Sequence, residues 1–513
     1  MDIFSVITLL GGLAFFLYGM NVMSSGLEKL AGGKLEIVLK KMTSNKFKSL
    51  LLGMGITIAI QSSSALTVML VGLVNSGIME LSQTIGVLMG SNVGTTLTAW
   101  ILSLSGIEGD NPFLKMLKPE SFSPIIALIG VIMIMTAKHN RTKDIGKIMV
   151  GFSVLMTGMT LMSGAVSPLA DSPQFSHILT AFRNPIMGVL VGAVFTGVIQ
   201  SSAASVGILQ ALSLTGQVTY GMAIPIIMGQ NIGTCVTALL SAIGANKNAK
   251  RAAMIHLYFN LIGTVVFMSL FYLINTAVHF PFMTQMATPA TIAITHSVFN
   301  ITATLVWLPF SNLLVKLACL TIRDDKSDEV SKEDQEFMIL ESRFLEKPAF
   351  AVEQGRNAAR HMERDSRKAL DISLGLLRNY EEEQAERVQK IETKVDRYED
   401  ELGTYLVKLN NKDLSEKDSH SVSIMLHCIG DFERISDHAV NIMESARELH
   451  EKNLSFSPEA RTELQVLASV VGRIVDTAYD VFDKQDMNLT RDVEPLEEMV
   501  DELSREMKRR HVN

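Results

Sequence analysis

Two clusters of small polar side chains, Gln61-Ser-Ser-Ser64 and Gln200-Ser-Ser202, sit inside long apolar runs, 139 residues apart. Such groups are costly at membrane depth unless they find partners. Hydroxyls, amides and the free N–H groups of a helix start suit an anion. The carbonyls of an unwound helix, with hydroxyl and amide oxygens, suit Na⁺. No Lys, Arg, Asp or Glu lies in the interior of either hairpin or broken helix. A neutral site that takes an anion needs a co-bound cation, which favours coupled cation–anion transport over free anion passage. Serines in membrane helices also satisfy backbone carbonyls or tighten packing, so one cluster alone would not carry this reading. Two matched clusters do.

The elements that must position these residues follow the same offset. Leu50–Ile78 reads as two short apolar helices broken at Gln61–Ser64, each too short to span, hence a re-entrant hairpin. Leu81–Leu104 could span, with Gly90-Ser-Asn-Val-Gly-Thr-Thr96 expected to break it. Each feature returns 139 residues later: Gly12 and Gly19 as Gly151 and Gly158, Asn45 as Asn184, Gly53 as Gly192, Gly77 as Gly216, and Gly90-x-Asn-x-Gly-Thr95 as Gly229-x-Asn-x-Gly-Thr234. Thr98 matches Thr237. This is an internal duplication, with repeats at about 5–104 and 144–243. Charge sets their relative orientation. Loops 27–49, 138–147 and 245–251 hold 13 Lys+Arg, against three in 105–120, 168–186 and 276–289. By the positive-inside rule the repeats are inverted, with both hairpins entering from opposite sides.

Further spans are expected at Ile3–Met23, Phe122–Thr136, Ala252–Ile274 and Pro289–Leu320. The first has no basic region or cleavage site before it and reads as a span, not a signal peptide. The last two carry His256-x-x-Phe-Asn260 and His296-x-x-Phe-Asn300, which put His and Asn on one helix face. His256 and His296 are candidates for proton coupling, or for hydrogen bonding between helices.

Mean hydropathy is +0.26, but the chain has two unlike halves. Residues 1–322 carry 17 Lys+Arg and 9 Asp+Glu, a net +8, so the whole-chain −7 leaves −15 for the remainder. So acidic a part argues against nucleic-acid binding. Three cysteines, Cys235, Cys319 and Cys428, give no disulfide framework. After a charged linker at 323–340, residues 341–513 read as amphipathic helices near 352–377, 385–408, 421–450, 458–483 and 494–509, a helical bundle. In the third, Ile424, Cys428, Phe432, Ile435, Ala439 and Ile442 form the expected apolar face. Carboxylates recur there at i, i+4: Glu392/Asp396, Glu433/Asp437 and Glu497/Asp501. That spacing could hold a hard metal ion, and a solvated helix face produces it too.

At the paired Gln-Ser-Ser and Gly-x-Asn-x-Gly-Thr words, residues 1–320 resemble the type II sodium-dependent phosphate cotransporter family. The soluble half looks like a PhoU-type regulatory domain, with Glu433-Arg-Ile-Ser-Asp-His-Ala439 as its closest word. The fold class expected is therefore all-α: a polytopic membrane domain of two inverted repeats, re-entrant hairpins and broken helices, with a cytoplasmic PhoU-like helical bundle.

The resemblance implies Na⁺-coupled movement of inorganic phosphate across the cell's inner (plasma) membrane. Gln61, Ser62, Ser63, Ser64, Gln200, Ser201 and Ser202 would surround the phosphate. Asn92, Thr95, Thr96, Asn231, Thr234, Asn260 and Asn300 are candidates for sodium binding or coupling. Ala203 stands where Ser64 stands in the first copy, which hints at unequal halves. A divalent metal, a homodimer and a regulatory protein are expectations for the bundle. Export, a channel-like efflux path and proton coupling remain alternatives. An intramembrane serine hydrolase would need a base beside one serine, and the symmetric clusters offer none; the chain reads as a transporter and not an enzyme.

Overall fold

In the computed structural model the described residues are 3–31, 45–106, 116, 118–168, 184–323 and 336–512. Loops 32–44 and 169–183 and most of the charged linker lie outside them. The described chain is helical, with no named strand, and divides into two compact units, Met1–Phe350 and Ala351–Asn513.

In the first unit the elements are α1 (Ile3–Ala31), α2 (Lys46–Ile60), α3 (Ser63–Asn75), α4 (Leu81–Ser103), α5 (Pro119–Thr136), α6 (Asn140–Val166), α7 (Pro185–Ile199), α8 (Ser202–Ser213), α9 (Tyr220–Gly233), α10 (Cys235–Ser241), α11 (Lys247–Val278), α12 (Pro289–Trp307) and α13 (Ser311–Thr321). Six of the described helical stretches are long and apolar enough to cross a membrane. By contrast α2, α3, α7 and α8, at 12 to 15 residues, reach only about 18–23 Å at 1.5 Å per residue, short of a hydrocarbon core of about 30 Å.

The duplication extends to individual atoms. Asn45 caps α2 by accepting from Phe47 N at 2.8 Å, and Asn184 caps α7 from Ile186 N at 2.9 Å. Gly77 and Gly216 both have φ of +69°. A methyl on Gly53 would collide with the Val87 carbonyl, and one on Gly192 with that of Ile226. Gly90 and Gly229 likewise face the carbonyls of Leu50 and Val189. Gly86 meets Lys46 and Ser49 while Gly94 meets Met54 and Thr57, which places α4 parallel to α2, start beside start. The chain leaving α2 must therefore double back through α3 before α4 begins, so α2 and α3 form a hairpin, as do α7 and α8.

The first helices of the two copies run antiparallel. Gly12 meets Gly158 and Met162, whereas Gly19 meets Gly151 and Leu155. Small residues let such backbones approach where lipid gives no hydrophobic drive.

Two expectations for these helices need correction. The Gly90–Thr96 stretch does not break its helix: α4 runs through it, with Thr95 and Thr96 bonding back to Ser91 O and Val93 O. Its glycines serve the contact with α2. Only the second copy is interrupted, at Thr234, and mildly (φ −61°, ψ −25°). The span expected at Pro289–Leu320 is two helices, α12 and α13, joined by a turn at 308–310.

The first unit also extends to Phe350, beyond the boundary expected near 341. Residues 337–350 pack against it. Phe344 is 1% exposed and sits over Gly72, Arg343 donates to Ser241 O at 2.5 Å and Ile243 O at 2.8 Å, and Lys347 pairs with Glu28 at 3.1 Å. Glu341 accepts from Asn75 Nδ2, whose own Oδ1 takes the Asn246 N–H at 2.7 Å.

The second unit holds most of α14 (Pro348–Leu376), then α15 (Glu382–Asn410), α16 (Glu416–Glu451), α17 (Pro458–Lys484) and α18 (Val493–Val512). The buried stripe of α16 is Val422, Met425, Ile429, Phe432, Ser436, Ala439 and Met443, displaced from the expected one, which shares only Phe432 and Ala439. Small Ser436 in the seam is what an apolar pattern cannot register.

Overpacking typically costs about 1–3 kcal/mol. Gly53→Ala and Gly192→Ala are each expected to lower the melting temperature of the purified chain by that much stability. Gly55→Ala, where a methyl meets nothing within 4 Å, should leave it unchanged.

Candidate functional site

Each hairpin turns at a glutamine held in the left-handed region, Gln61 at φ 51°, ψ 30° and Gln200 at φ 56°, ψ 24°. For a residue with a Cβ this conformation is strained, and it persists only where the surroundings enforce it. The next serine then caps the returning helix: Ala65 N donates to Ser62 Oγ at 3.2 Å, and Ala204 N to Ser201 Oγ at 3.2 Å. The N-termini of α3 and α8, with their unpaired N–H groups, are thereby placed at the two tips. Ser62 and Ser64 hydroxyls lie 3.3 Å apart, and Ala203 removes that pair from the second tip. Ser63 and Ser202 occupy the first turns of α3 and α8, both half-buried.

The tips differ in how they are held. Gln61 is half-buried; its Nε2 donates to Ile58 O at 2.7 Å and its Oε1 accepts from Thr98 Oγ1 at 2.9 Å. Beside it, Ser24 Oγ donates to Ile60 O at 2.7 Å. Gln200 is exposed, and its side chain has no partner among the described residues. The residues matching Thr98 and Ser24 are Thr237 and Ser163, and both hydroxyls are buried without a partner among the described residues.

The asparagines repeat this inequality. Asn92 Nδ2 donates to Asn260 Oδ1 at 3.4 Å. Asn260 is steadied by its own Nδ2, 3.1 Å from His256 O and 3.3 Å from Cys235 Sγ. Asn300 Nδ2 likewise donates to His296 O at 2.8 Å, but Asn300 Oδ1 and Asn231 Nδ2 are both buried and unpaired among the described residues. Asn231 and Asn300 are 4% and 0% exposed. Thr234 Oγ1 bonds back to Asn231 O at 2.6 Å, as Thr95 and Thr96 bond within α4, so these three threonines are occupied within their own helices. His256 and His296 are buried; His256 Nδ1 and both ring nitrogens of His296 lack partners.

Sequence reasoning did not single out Ser24, Ser163, Thr98 or Thr237 as site residues, although all four obey the 139-residue offset. It also missed Gln210, fully buried, whose Nε2 donates to Ala99 O at 2.9 Å and Pro289 O at 3.0 Å. Val71 stands at its matching position, so no repeat signal marks it.

In the second unit, carboxylate oxygens of Glu392, Asp396 and Asp437 lie within 4.8 Å of one another. Burial first, and then the neighbouring acids, push the carboxyls of Glu392, Asp396 and Glu433 above their usual range. Glu497 and Asp501 do not join this group. They are exposed on α18, which packs on α17.

A family model described as Na+/Pi-cotransporter matches residues 15–164 and again 154–286, and one described as PhoU domain matches residues 359–446. An Escherichia coli (strain K12) protein named "Putative inorganic phosphate export protein YjbB" is 25% identical over 496 residues, 95% of this chain and 86% of its own length. The Bacillus subtilis protein YqeW, named as uncharacterized, is 28% identical over 311 residues, 60% of this chain and 95% of its own. A rat protein named "Sodium-dependent phosphate transport protein 2A" is 27% identical over 175 residues, 34% of this chain and 26% of its own. No solved structure matches the chain.

Removing one hydrogen bond typically costs about 1 kcal/mol. Thr98→Val should therefore lower the melting temperature of the purified chain by about that much stability. Thr237→Val removes an unpaired hydroxyl and should leave the melting temperature unchanged or raise it.

Proposed function

We propose, from the premise that the chain belongs to the Na+/Pi-cotransporter family, that it carries inorganic phosphate across the cell membrane with Na⁺ as the coupling ion. The observation that carries this reading is the matched pair of strained glutamine corners, each aiming a serine-capped helix N-terminus at the tip of a hairpin. Gln61, Ser62, Ser63, Ser64, Gln200, Ser201 and Ser202 bind phosphate through hydroxyls, amides and free N–H groups. Charge balance then falls to Na⁺, because neither tip has a cationic side chain. Asn92, Asn231, Asn260 and Asn300 supply neutral oxygens for it. Thr95, Thr96 and Thr234 donate back into their own helices, so they serve through their oxygens or not at all.

The antiparallel crossing of α1 and α6 supports inverted repeats, since these helices begin equivalent copies. The excess of Lys and Arg in loops 27–49, 138–147 and 245–251 supports an inner-membrane protein with its C-terminal unit in the cytoplasm. Two hairpins entering from opposite faces bring both tips to mid-depth.

Export is the second reading of direction. The Escherichia coli relative covers 95% of this chain, including the region of the PhoU match, and its name describes phosphate export. The same site serves either direction, which the gradients decide.

In the second unit, Glu392, Asp396 and Asp437 hold a divalent cation in this reading, and the bundle regulates transport, with a second copy or a regulatory protein as partner. Clustered acids with raised carboxyl pKa fit a cation that relieves their repulsion. Because the carboxylates must be ionised to bind, affinity falls as pH falls through the raised values. Calorimetry with Mn²⁺ on the full chain should show binding that weakens towards acid and disappears in Asp396→Asn. Unchanged binding in that variant would place the ion elsewhere.

Radiolabelled phosphate flux in proteoliposomes tests the main reading. Flux should follow an imposed Na⁺ gradient and fall at least about tenfold in Gln61→Ala and in Gln200→Ala. A flux that ignores Na⁺ and follows a pH gradient would shift the coupling to His256 and His296.

A further inference from the structure

The two tips are matched in sequence and unequal in structure, and the inequality has a pattern. Three hydrogen bonds mark the first copy: two at its tip, Ser24 to Ile60 O and Thr98 to Gln61, and one between α4 and α11, Asn92 to Asn260. Advancing the repeat residues by 139 gives Ser163 with Ile199 O, Thr237 with Gln200, and Asn231. The partner of Asn231 follows from the second duplicated word, which turns Asn260 into Asn300. The polar atoms that would make those three bonds are Ser163 Oγ, Thr237 Oγ1, Asn231 Nδ2 and Asn300 Oδ1. All four are buried and unpaired. Other buried polar atoms of this unit are unpaired too, Gln230 Oε1 and Thr304 Oγ1 among them, but these four fall at the positions that match the bonds of the first copy, and they point to an undocked second tip.

We propose that Ser24, Thr98, Ser163 and Thr237 are positioning residues that dock the two glutamine tips in alternation. In the state described here, the first tip is docked and the second is free. In the opposite state Ser163 donates to Ile199 O, Thr237 to Gln200 Oε1 and Asn231 to Asn300, while the three bonds of the first copy open. This inference rests on the transport reading and adds to it the groups that set each half-site in turn.

The energetics suit an exchange. Leaving a buried polar group unpaired is costly, and a made bond gains little net. Three bonds broken and three matching bonds made nearly cancel, so neither state is a deep trap. Small differential binding of phosphate and Na⁺ can then shift the balance. A sequence with one set of bonds and no matching residues would stay docked on one side.

Two measurements on the full chain test this. In proteoliposomes Thr237→Val should lower flux about tenfold or more, while leaving the melting temperature no lower than wild type. A merely structural Thr237, unpaired in this state, would move neither quantity, and unchanged flux in Thr237→Val overturns the proposal. The second measurement does not depend on flux. In a background lacking Cys235, Cys319 and Cys428, the cysteine pair Ser163→Cys/Ile199→Cys is treated with a short bis-methanethiosulfonate, which forms a disulfide at each cysteine as methanesulfinate leaves. It should link poorly without substrate and at least about fivefold faster with Na⁺ and phosphate together, while Ser24→Cys/Ile60→Cys links without either. A 163/199 pair that never links with Na⁺, phosphate, both or neither also overturns the proposal. If wild-type vesicles show no phosphate flux, the transport reading fails, and the crosslinks still decide whether the tips alternate.

Discussion

Polar groups within an apolar layer must be paired inside the protein, and the hairpin tips are where this constraint binds hardest. A hairpin that stops at mid-depth exposes a helix end there, with unpaired N–H groups and carbonyls. Ser62 and Ser201 take one N–H each, Ser24 takes the Ile60 carbonyl, and Thr98 takes the Gln61 amide. What stays unpaired is held open for a ligand or left to a conformational change. The left-handed glutamines make these corners possible, and their strain is sustained by the helices packed around them.

That packing explains the glycines. To bring α4 beside α2, and α9 beside α7, the backbones approach until a single methyl would collide with a carbonyl. Lipid gives no hydrophobic reward for helix contact, so closeness itself supplies the dispersion energy. The same contacts accompany an α4 that is continuous through Gly90–Thr96, where glycine and threonine composition suggests a break. Composition carries no information on whether a glycine relaxes the backbone or admits a neighbour, and only the neighbour distinguishes the two cases.

Much of the architecture was legible because it is written twice. The paired corners, the Asn45 and Asn184 caps and the Gly77 and Gly216 turns all follow from one offset. The amphipathic helices of the second unit were legible from their period, with ends within a few residues. Features present once were not legible. Gln210 has no counterpart, and the strap at 337–350 was divided between linker, to 340, and bundle, from 341, because its burial depends on Gly72, Asn75 and Ser241, far away in sequence. Glu497 and Asp501 shared a spacing with the clustered acids, but α18 does not bring them to Glu392 and Asp396. The inequality of the tips was beyond any pattern, because Thr98 and Thr237 are the same residue in matching contexts.

That last point limits where the inequality can originate. The tips differ by one hydroxyl, Ser64 against Ala203, and neither residue takes part in the three bonds that differ. The bases of the hairpins differ far more. The second is tied by Gln210 to α4 and α12, where the first has Val71. The first is tied at Asn75 to Asn246 and to Glu341 of the strap, where the second has Leu214. In the proposed alternation, duplication supplies two equal half-sites, and the unequal anchors are the difference that could select which one is docked in this state. The anchor of the first hairpin includes Glu341, in a segment packed on this unit through Phe344 and Arg343, and the second hairpin has no such contact among the described residues.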